Sequence, residues 1–349
     1  MKRYKSLILF MVLVLLLVGC SGGKETGNDI PGTAPAVNGT FNVILNAQPT
    51  GFNPLTTNDS MSSDINVQIY ETLYKRTSDG TSYVPLLAED MPASSEDGLT
   101  INIKLKEGIT FTNGDPFNAE AVKFTIEKIK DKDYGSARAS IAASIESVEI
   151  VNDYEVKFNL AYPDGVLIAK LAHMNSAIIS PTSDSVELMT NPIGTGAYKM
   201  VASVPGSEYT LEYNESYWGE EPALKKIVFT VVSETSTAIS RLETGEADFM
   251  PVVPVNNVNR VKQISNVEFV TSPSSQITYL GLRTDTAKNT KLMANSKARQ
   301  AISMAINREA YVQTLGGNAI ATNSILPPSV FGYIESAEDY GYNYNLEEA

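Results

Sequence analysis

Residues 7–18 form an uninterrupted run of twelve apolar residues, and the run stops two positions before the chain's only cysteine, Cys20. A helix needs about 20 apolar residues to cross a bilayer, so this run is too short to span one. Lys2, Arg3 and Lys5 precede it, giving the positive stub and short apolar core of a secretory signal over residues 1–19. Its end, Leu17-Val18-Gly19-Cys20-Ser21, reads as a lipobox. Small Gly19 lets a signal peptidase reach the backbone, and the Cys20 thiol accepts a diacylglyceryl group. The expectation is a lipoprotein held by acyl chains, palmitate included, on the extracytoplasmic face of the cell membrane. The consequence for folding is strict. With Cys20 acylated no thiol remains, so nothing downstream can be stapled by a disulfide.

Residues 20–37 are rich in Gly, Ser, Thr and Pro and offer almost nothing to bury, so they read as a lipidated flexible tether. A tether of this length reaches about 20–25 Å, enough to clear lipid headgroups. Removing residues 1–19 takes away three of the 27 basic residues and none of the 40 acidic ones, leaving a formal charge of −16. Such a body has no electrostatic attraction for nucleic acid or anionic lipid. About 310 residues remain beyond the tether, enough for two domains.

Local patterns place the elements. Residues 40–45 read as a strand, followed by a helix with Ile65, Ile69 and Leu73 on one face. Residues 100–105 alternate, Ile101, Ile103 and Leu105 facing one way and Asn102 and Lys104 the other, as a half-buried strand does. Asn118 caps a helix whose apolar face is Val122, Ile126 and Ile129, and residues 147–160 form a hairpin around Asn152-Asp153. Further on, residues 226–232 are an apolar strand, and a helix carrying Ala238, Ile239 and Leu242 ends at Gly245. Residues 277–282 read as another strand, and Ser296 caps a helix burying Ala298, Ala301, Ile302, Ala305 and Ile306. Strands and helices interspersed with hairpins and long loops make the class α/β, in the mixed α+β sense. The last residues, Asn345-Leu346-Glu347-Glu348-Ala349, look like the first turn of a helix that does not continue, so the chain reads as truncated.

Several chemistries are excluded by residue type. One histidine and one cysteine cannot build a nitrogen/sulfur metal site, so no metal and no cofactor is expected. His173 is also the only candidate base, and no nucleophile elbow accompanies it, so the chain is not read as an enzyme. Its apolar neighbours give it a packing role. Gly194-Thr195-Gly196 lacks the remaining glycines and the Lys-Ser/Thr of a phosphate loop and is read as a tight turn. Tyr217 and Trp218 are read as packing residues.

Four stretches, in order, resemble the family 5 extracellular solute-binding proteins. The first is Pro85-Leu86-Leu87-Ala88-Glu89, continuing to Asn113-Gly114-Asp115-Pro116-Phe117-Asn118-Ala119-Glu120-Ala121-Val122. The second is Asn191-Pro192-Ile193-Gly194-Thr195-Gly196-Ala197-Tyr198, in which Ala197 stands where the family usually has Pro. The third joins Tyr217-Trp218 to Leu242-Glu243-Thr244-Gly245-Glu246-Ala247-Asp248. The fourth is Lys297-Ala298-Arg299-Gln300-Ala301 with Ala305-Ile306-Asn307-Arg308 and Leu326-Pro327-Pro328.

The resemblance implies a two-lobed, periplasmic-binding-protein-like fold closing on ligand by a hinge. Residues 38–60 and 190–275 would form the core of the first lobe, 61–189 its extension subdomain, and 276–349 the start of an incomplete second lobe. It further implies a monomeric receptor that binds peptides or peptide-like solutes and delivers them to the permease subunits of an ABC importer. The alternatives are a peptide-sensing or adhesive surface lipoprotein not coupled to transport, or a non-functional fragment of such a receptor. By motif position, the ligand-facing candidates are Asn46, Ala47 and Gln48 after the first strand, Met250, Pro251 and Val252, then Ser274, Ser275 and Gln276. Tyr134 and Arg138 lie in a segment the family uses near its ligand. Arg138 is open to two readings, a bidentate clamp on a ligand carboxylate or a surface salt bridge.

Overall fold

Val43, Ile44 and Leu45 are consecutive and all buried, the pattern of a strand covered on both faces. They belong to β1 (Val37–Leu45), which runs parallel to β10 (Leu224–Val231). β10 pairs antiparallel with β9 (Glu208–Tyr213) and β9 with β8 (Tyr198–Val204), giving the sheet order β1-β10-β9-β8. Val43 and Leu45 enter the main core, whereas Ile44 meets Val232, Ala238, Leu242 and Ala247 on the opposite face. This computed structural model describes residues 37–272, 274–284 and 291–349. The signal segment, Cys20 and tether residues 20–36 lie outside the described residues. Among the described residues, no helix is long and apolar enough to cross a membrane.

The chain leaves this sheet after Leu45 and returns at Tyr198, having built a second one between. β4 (Ala93–Ser94), β5 (Thr100–Lys104), β6 (Ile145–Asn152) and β7 (Glu155–Leu160) assemble in the order β4-β5-β7-β6, all antiparallel. The alternation holds as read, Ile101 and Ile103 being buried and Asn102 and Lys104 exposed. α2 (Ala119–Lys130) packs on β6 and β7 through Val122, Ile126 and Ile129, each contributing about 1.5–3 kcal/mol by burial. It starts where Asn118 Oδ1 accepts from Glu120 N and Ala121 N at 3.0 and 3.2 Å. Lys128 and Lys130 stand in its last turn, complementing the helix dipole. A small hairpin of β2 (Tyr74–Arg76) and β3 (Tyr83–Pro85) and the short α3 (Leu167–Leu171) complete this half.

α1 (Ser60–Ile69) buries Ile65 and Ile69, but Leu73 is buried from an extended segment beyond the helix, not from its face. The cause is that Gly196 N donates to Ile69 O at 2.8 Å, occupying the carbonyl that a further helical turn would use. α4 (Thr235–Thr244) stops as read, because Gly245 adopts the left-handed conformation that closes a helix, with φ +74°.

The α-helices of the C-terminal part are α5 (Val258–Val261), α6 (Lys291–Ala294), α7 (Ser296–Ala305) and α8 (Arg308–Thr314). Two readings need correction here. Residues 277–282 form no strand, and Tyr279 and Leu280 are 79% and 63% exposed. β-propensity alone does not make a strand when no neighbouring edge pairs with it. The cap of α7 is Asn295, whose side chain accepts from Lys297 N at 3.0 Å, and Ser296 is the first helical residue. Both residue types cap well, so the sequence does not separate them. Of its expected apolar face, Ala298, Ala301 and Ile302 are half-buried and Ala305 and Ile306 exposed.

Candidate functional site

Asn46, Ala47 and Gln48 leave the end of β1 exposed. The edge of β1 that faces away from β10 carries one parallel bridge, Val43 to Phe249, with Ile44 N donating to Phe249 O at 2.9 Å. Parallel pairing sends both chains out in the same direction, Met250, Pro251 and Val252 following Phe249 as Ile44, Leu45 and Asn46 follow Val43. Met250 packs on the small cluster around Ile44, while Pro251 and Val252 are exposed beyond it. The backbone groups of both triplets are taken up in neither ladder. An extended ligand can pair with such groups as an added strand.

A second cluster forms around residues 53–58. Buried Asn53 donates through Nδ2 to the Tyr134 hydroxyl at 3.1 Å and to Ser185 O at 3.2 Å. Because that hydroxyl accepts from Asn53, its own proton is available to a ligand. Ala137 N donates to Leu55 O, and Arg138 Nε donates to Asn58 Oδ1 at 3.2 Å. Arg138 takes part in no ion pair among the described residues. Asn175, also buried, braces the loop from beneath, its Nδ2 donating to Pro54 O and Thr57 O at 2.7 Å each. His173 Nδ1 accepts from Asn175 N at 3.1 Å, which assigns the ring proton to Nε2. Burial, and then the charge of Arg138, hold its pKa below 6.5. No hydrogen bond or ion pair joins this cluster to residues 46–48 or 250–252 among the described residues.

Ser274, Ser275 and Gln276 are exposed and lie elsewhere. Ser274 O accepts from Ser329 Oγ at 2.8 Å, and Ser329 O in turn accepts from Arg76 of the β2–β3 hairpin. Tyr83 of the same hairpin meets Phe331 edge to face, ring centres 5.7 Å apart.

Sequence reasoning missed Glu71. Its carboxylate is buried and accepts from Thr195 Oγ1 and Trp218 Nε1, each at 2.8 Å, and from the Tyr217 hydroxyl at 3.1 Å. Burial raises its pKa above 4.5, and the three hydrogen bonds and Lys106 oppose that rise without cancelling it. Lys106 Nζ also sits 4.5 Å above the Trp218 ring. Trp218 therefore packs on the core, as read, and also donates a buried hydrogen bond. The Gly194-Thr195-Gly196 turn is where the returning chain meets Ile69, so it cradles backbone and not phosphate. Among the described residues no three His, Cys, Asp or Glu side chains converge as a metal group. A groove of about 390 Å³ between α2 and β6, lined by Lys123, Glu127, Lys130 and Glu146, is open surface away from both clusters.

The profile of the bacterial extracellular solute-binding proteins, family 5 (middle), matches residues 82–349. The oligopeptide-binding protein AppA of Bacillus subtilis is 29% identical over 365 residues, covering 100% of this chain and 66% of that protein. Its structure in complex with a nonapeptide superposes with a TM-score of 0.76 at 28% identity, over 90% of this chain and 63% of that one. The glutathione-binding protein GsiB of Shigella flexneri is 29% identical over 306 residues, 86% of this chain and 58% of that protein. DppA of Helicobacter pylori, a periplasmic binding protein associated with an ABC transporter and solved with the peptide STSA, gives a TM-score of 0.74 at 25% identity, over 89% of this chain and 64% of that one. The mixed α/β fold is thus that of the two-lobed periplasmic binding proteins, and the chain spans about three fifths to two thirds of the length of these relatives.

Proposed function

The chain belongs to the bacterial extracellular solute-binding proteins of family 5, and from that premise we propose that it captures peptides or peptide-like solutes outside the cytoplasmic membrane and delivers them to the permease subunits of an ABC importer. The members to which it is similar are solute-binding receptors rather than enzymes. The observation that carries the proposal is the bridge between Val43 and Phe249, past which two stretches of chain, residues 46–48 and 250–252, leave the end of β1 with no backbone hydrogen bond among the described residues. An extended peptide is the solute whose own backbone complements such a pair.

In this reading Tyr134 and Arg138 offer a hydroxyl proton and a guanidinium that no carboxylate of the described residues engages, suited to a ligand carboxylate. Residues 38–60 and 190–275 form the first lobe's core, 61–189 its extension, and 276–349 begin the second lobe. Residues 274–276 are then a crossing between lobes. Cys20 carries the lipid that keeps the receptor on the membrane surface, and residues 20–37 give it reach toward the permease. ATP is hydrolysed by the partner subunits, and the receptor works as a monomer.

The test is native mass spectrometry of the chain purified gently from a peptide-rich medium. A ladder of retained peptide masses is expected. A chain that emerges bare, and that stays bare after incubation with a tryptic digest of casein, overturns the proposal.

A further inference from the structure

Asn42 and Asp248 lie 206 residues apart in sequence, and four hydrogen bonds join Asn42 to Asp248 and Phe249. Asp248 Oδ2 accepts from Asn42 N at 2.8 Å and from Asn42 Nδ2 at 3.0 Å. In return Asp248 N and Phe249 N donate to Asn42 O at 2.8 and 3.1 Å. Asp248 stands three residues after Gly245, where α4 has stopped and the chain turns back to β1. Downstream, Phe249 adds the bond from Ile44 N and a stacked contact with Phe41, ring centres 6.3 Å apart. Then the pairing ends.

Backbone groups alternate between the two edges of a strand, so the amides of residues 42, 44 and 46 share the edge that faces away from β10. Asn42 N is taken by the Asp248 carboxylate and Ile44 N by Phe249 O. The amide of Asn46 is the next donor on that edge, and it is the first one left open. The crossing chain detaches where Pro251 has no N–H to offer Ile44 O, and the register it holds up to that point is set by its bonds at residues 42 to 44. We propose that Asp248 is a positioning residue: its clasp on Asn42 fixes the register in which residues 249–252 lie beside β1, and so presents Asn46 and Met250 to the ligand. The inference deepens the peptide-receptor reading and rests on it for its functional half.

Amide hydrogen exchange and peptide retention on the full chain test it, using Asp248→Ala and Asp248→Asn. The Asn variant keeps one acceptor oxygen for Asn42 and turns its amide nitrogen toward the position of Oδ1. We expect Asp248→Ala to speed exchange of the Asn42, Ile44, Asp248 and Phe249 amides by about tenfold, with β8 and β9 unchanged. Retention from a tryptic digest of casein should weaken by about tenfold, and Asp248→Asn should restore both. Faster exchange with unaltered retention overturns the positioning role, and so does unchanged exchange at Ile44 and Phe249. A uniform rise in exchange that persists in the Asp248→Asn variant marks a merely structural residue and also overturns it. If the wild-type chain retains no peptide, the receptor reading fails, and the exchange pattern alone then decides whether Asp248 holds residues 249–252.

Discussion

Trp218 Nε1 donates to Glu71 Oε2 at 2.8 Å, so an indole and a carboxylate 147 residues apart share a buried bond. Thr195 Oγ1 uses the same oxygen and the Tyr217 hydroxyl uses the other. Burial still raises the Glu71 pKa above 4.5. The folded state therefore binds this proton more tightly than the unfolded state, and the stability it contributes is complete below about pH 4.5 and lost as pH rises through the folded value. A Gln side chain keeps one oxygen for Thr195 and Trp218 and can donate to the Tyr217 hydroxyl without carrying charge. Glu71→Gln should unfold at or slightly above the wild-type urea midpoint at pH 7, with an advantage that shrinks toward pH 4.5. Glu71→Ala should cost about 2–4 kcal/mol, because three donors lose their acceptor and a cavity opens. A Gln variant whose relative stability worsens as pH rises would sink this account.

What the sequence makes legible here is chemistry that acts within a few residues. The alternation of Ile101, Asn102, Ile103 and Lys104, the cap at Asn118 and the stop at Gly245 each depend on neighbours two to four positions away. Glu71 was illegible for the opposite reason: its partners come from residues 195, 217 and 218, and nothing in Tyr70-Glu71-Thr72 marks it as buried. The reading of 277–282 as a strand failed on the same ground, since a strand is a property of two edges and a sequence shows one. The candidate ligand residues came from family likeness. That residues 46–48 and 250–252 both follow one parallel bridge becomes visible only at Val43 and Phe249. The braces Asn53 and Asn175 carry no local signal, because a buried Asn and a solvated one look alike in sequence.

Gly194 should not tolerate a methyl group. A Cβ there would stand 2.1 Å from Ile69 O, a backbone atom already bonded to Gly196 N and unable to retreat. Gly194→Ala should cost about 3 kcal/mol or more by overpacking. Gly165, which has open space around it, is the control, and Gly165→Ala should stay within about 0.5 kcal/mol of wild type. Equal urea midpoints for the two variants would show that the close approach is not what the glycine is for.

Asn175→Ala removes two buried bonds to the carbonyls of Pro54 and Thr57 and should cost about 2–3 kcal/mol, read as a lower urea midpoint at unchanged slope. Asn175→Asp places an anion against the same two carbonyls when ionised. It should therefore be worse than the Ala variant at pH 7 and recover in acid. Limited proteolysis should cut residues 53–58 faster in both variants. If the loop stays as resistant as in the wild type, Asn175 is not its brace.

His173 gives the chain a single imidazole signal, which makes its titration unambiguous by proton NMR. Burial is the larger cause of its lowered pKa and Arg138 the smaller, so the midpoint should lie below 6.5 and Arg138→Gln should raise it without restoring 6.5. The folded state binds this proton less tightly than the unfolded state. The associated stability is complete above pH 6.5 and lost as pH falls through the lower folded value. Protonation also removes the Nδ1 acceptor for Asn175 N, and Asn175 holds the loop that carries Asn53 and Asn58. Tyr134 and Arg138 should therefore loosen together with the imidazole titration, seen as exchange broadening of their resonances at the same midpoint. A midpoint at or above 6.5, or broadening at an unrelated pH, would break the link between His173 and this cluster.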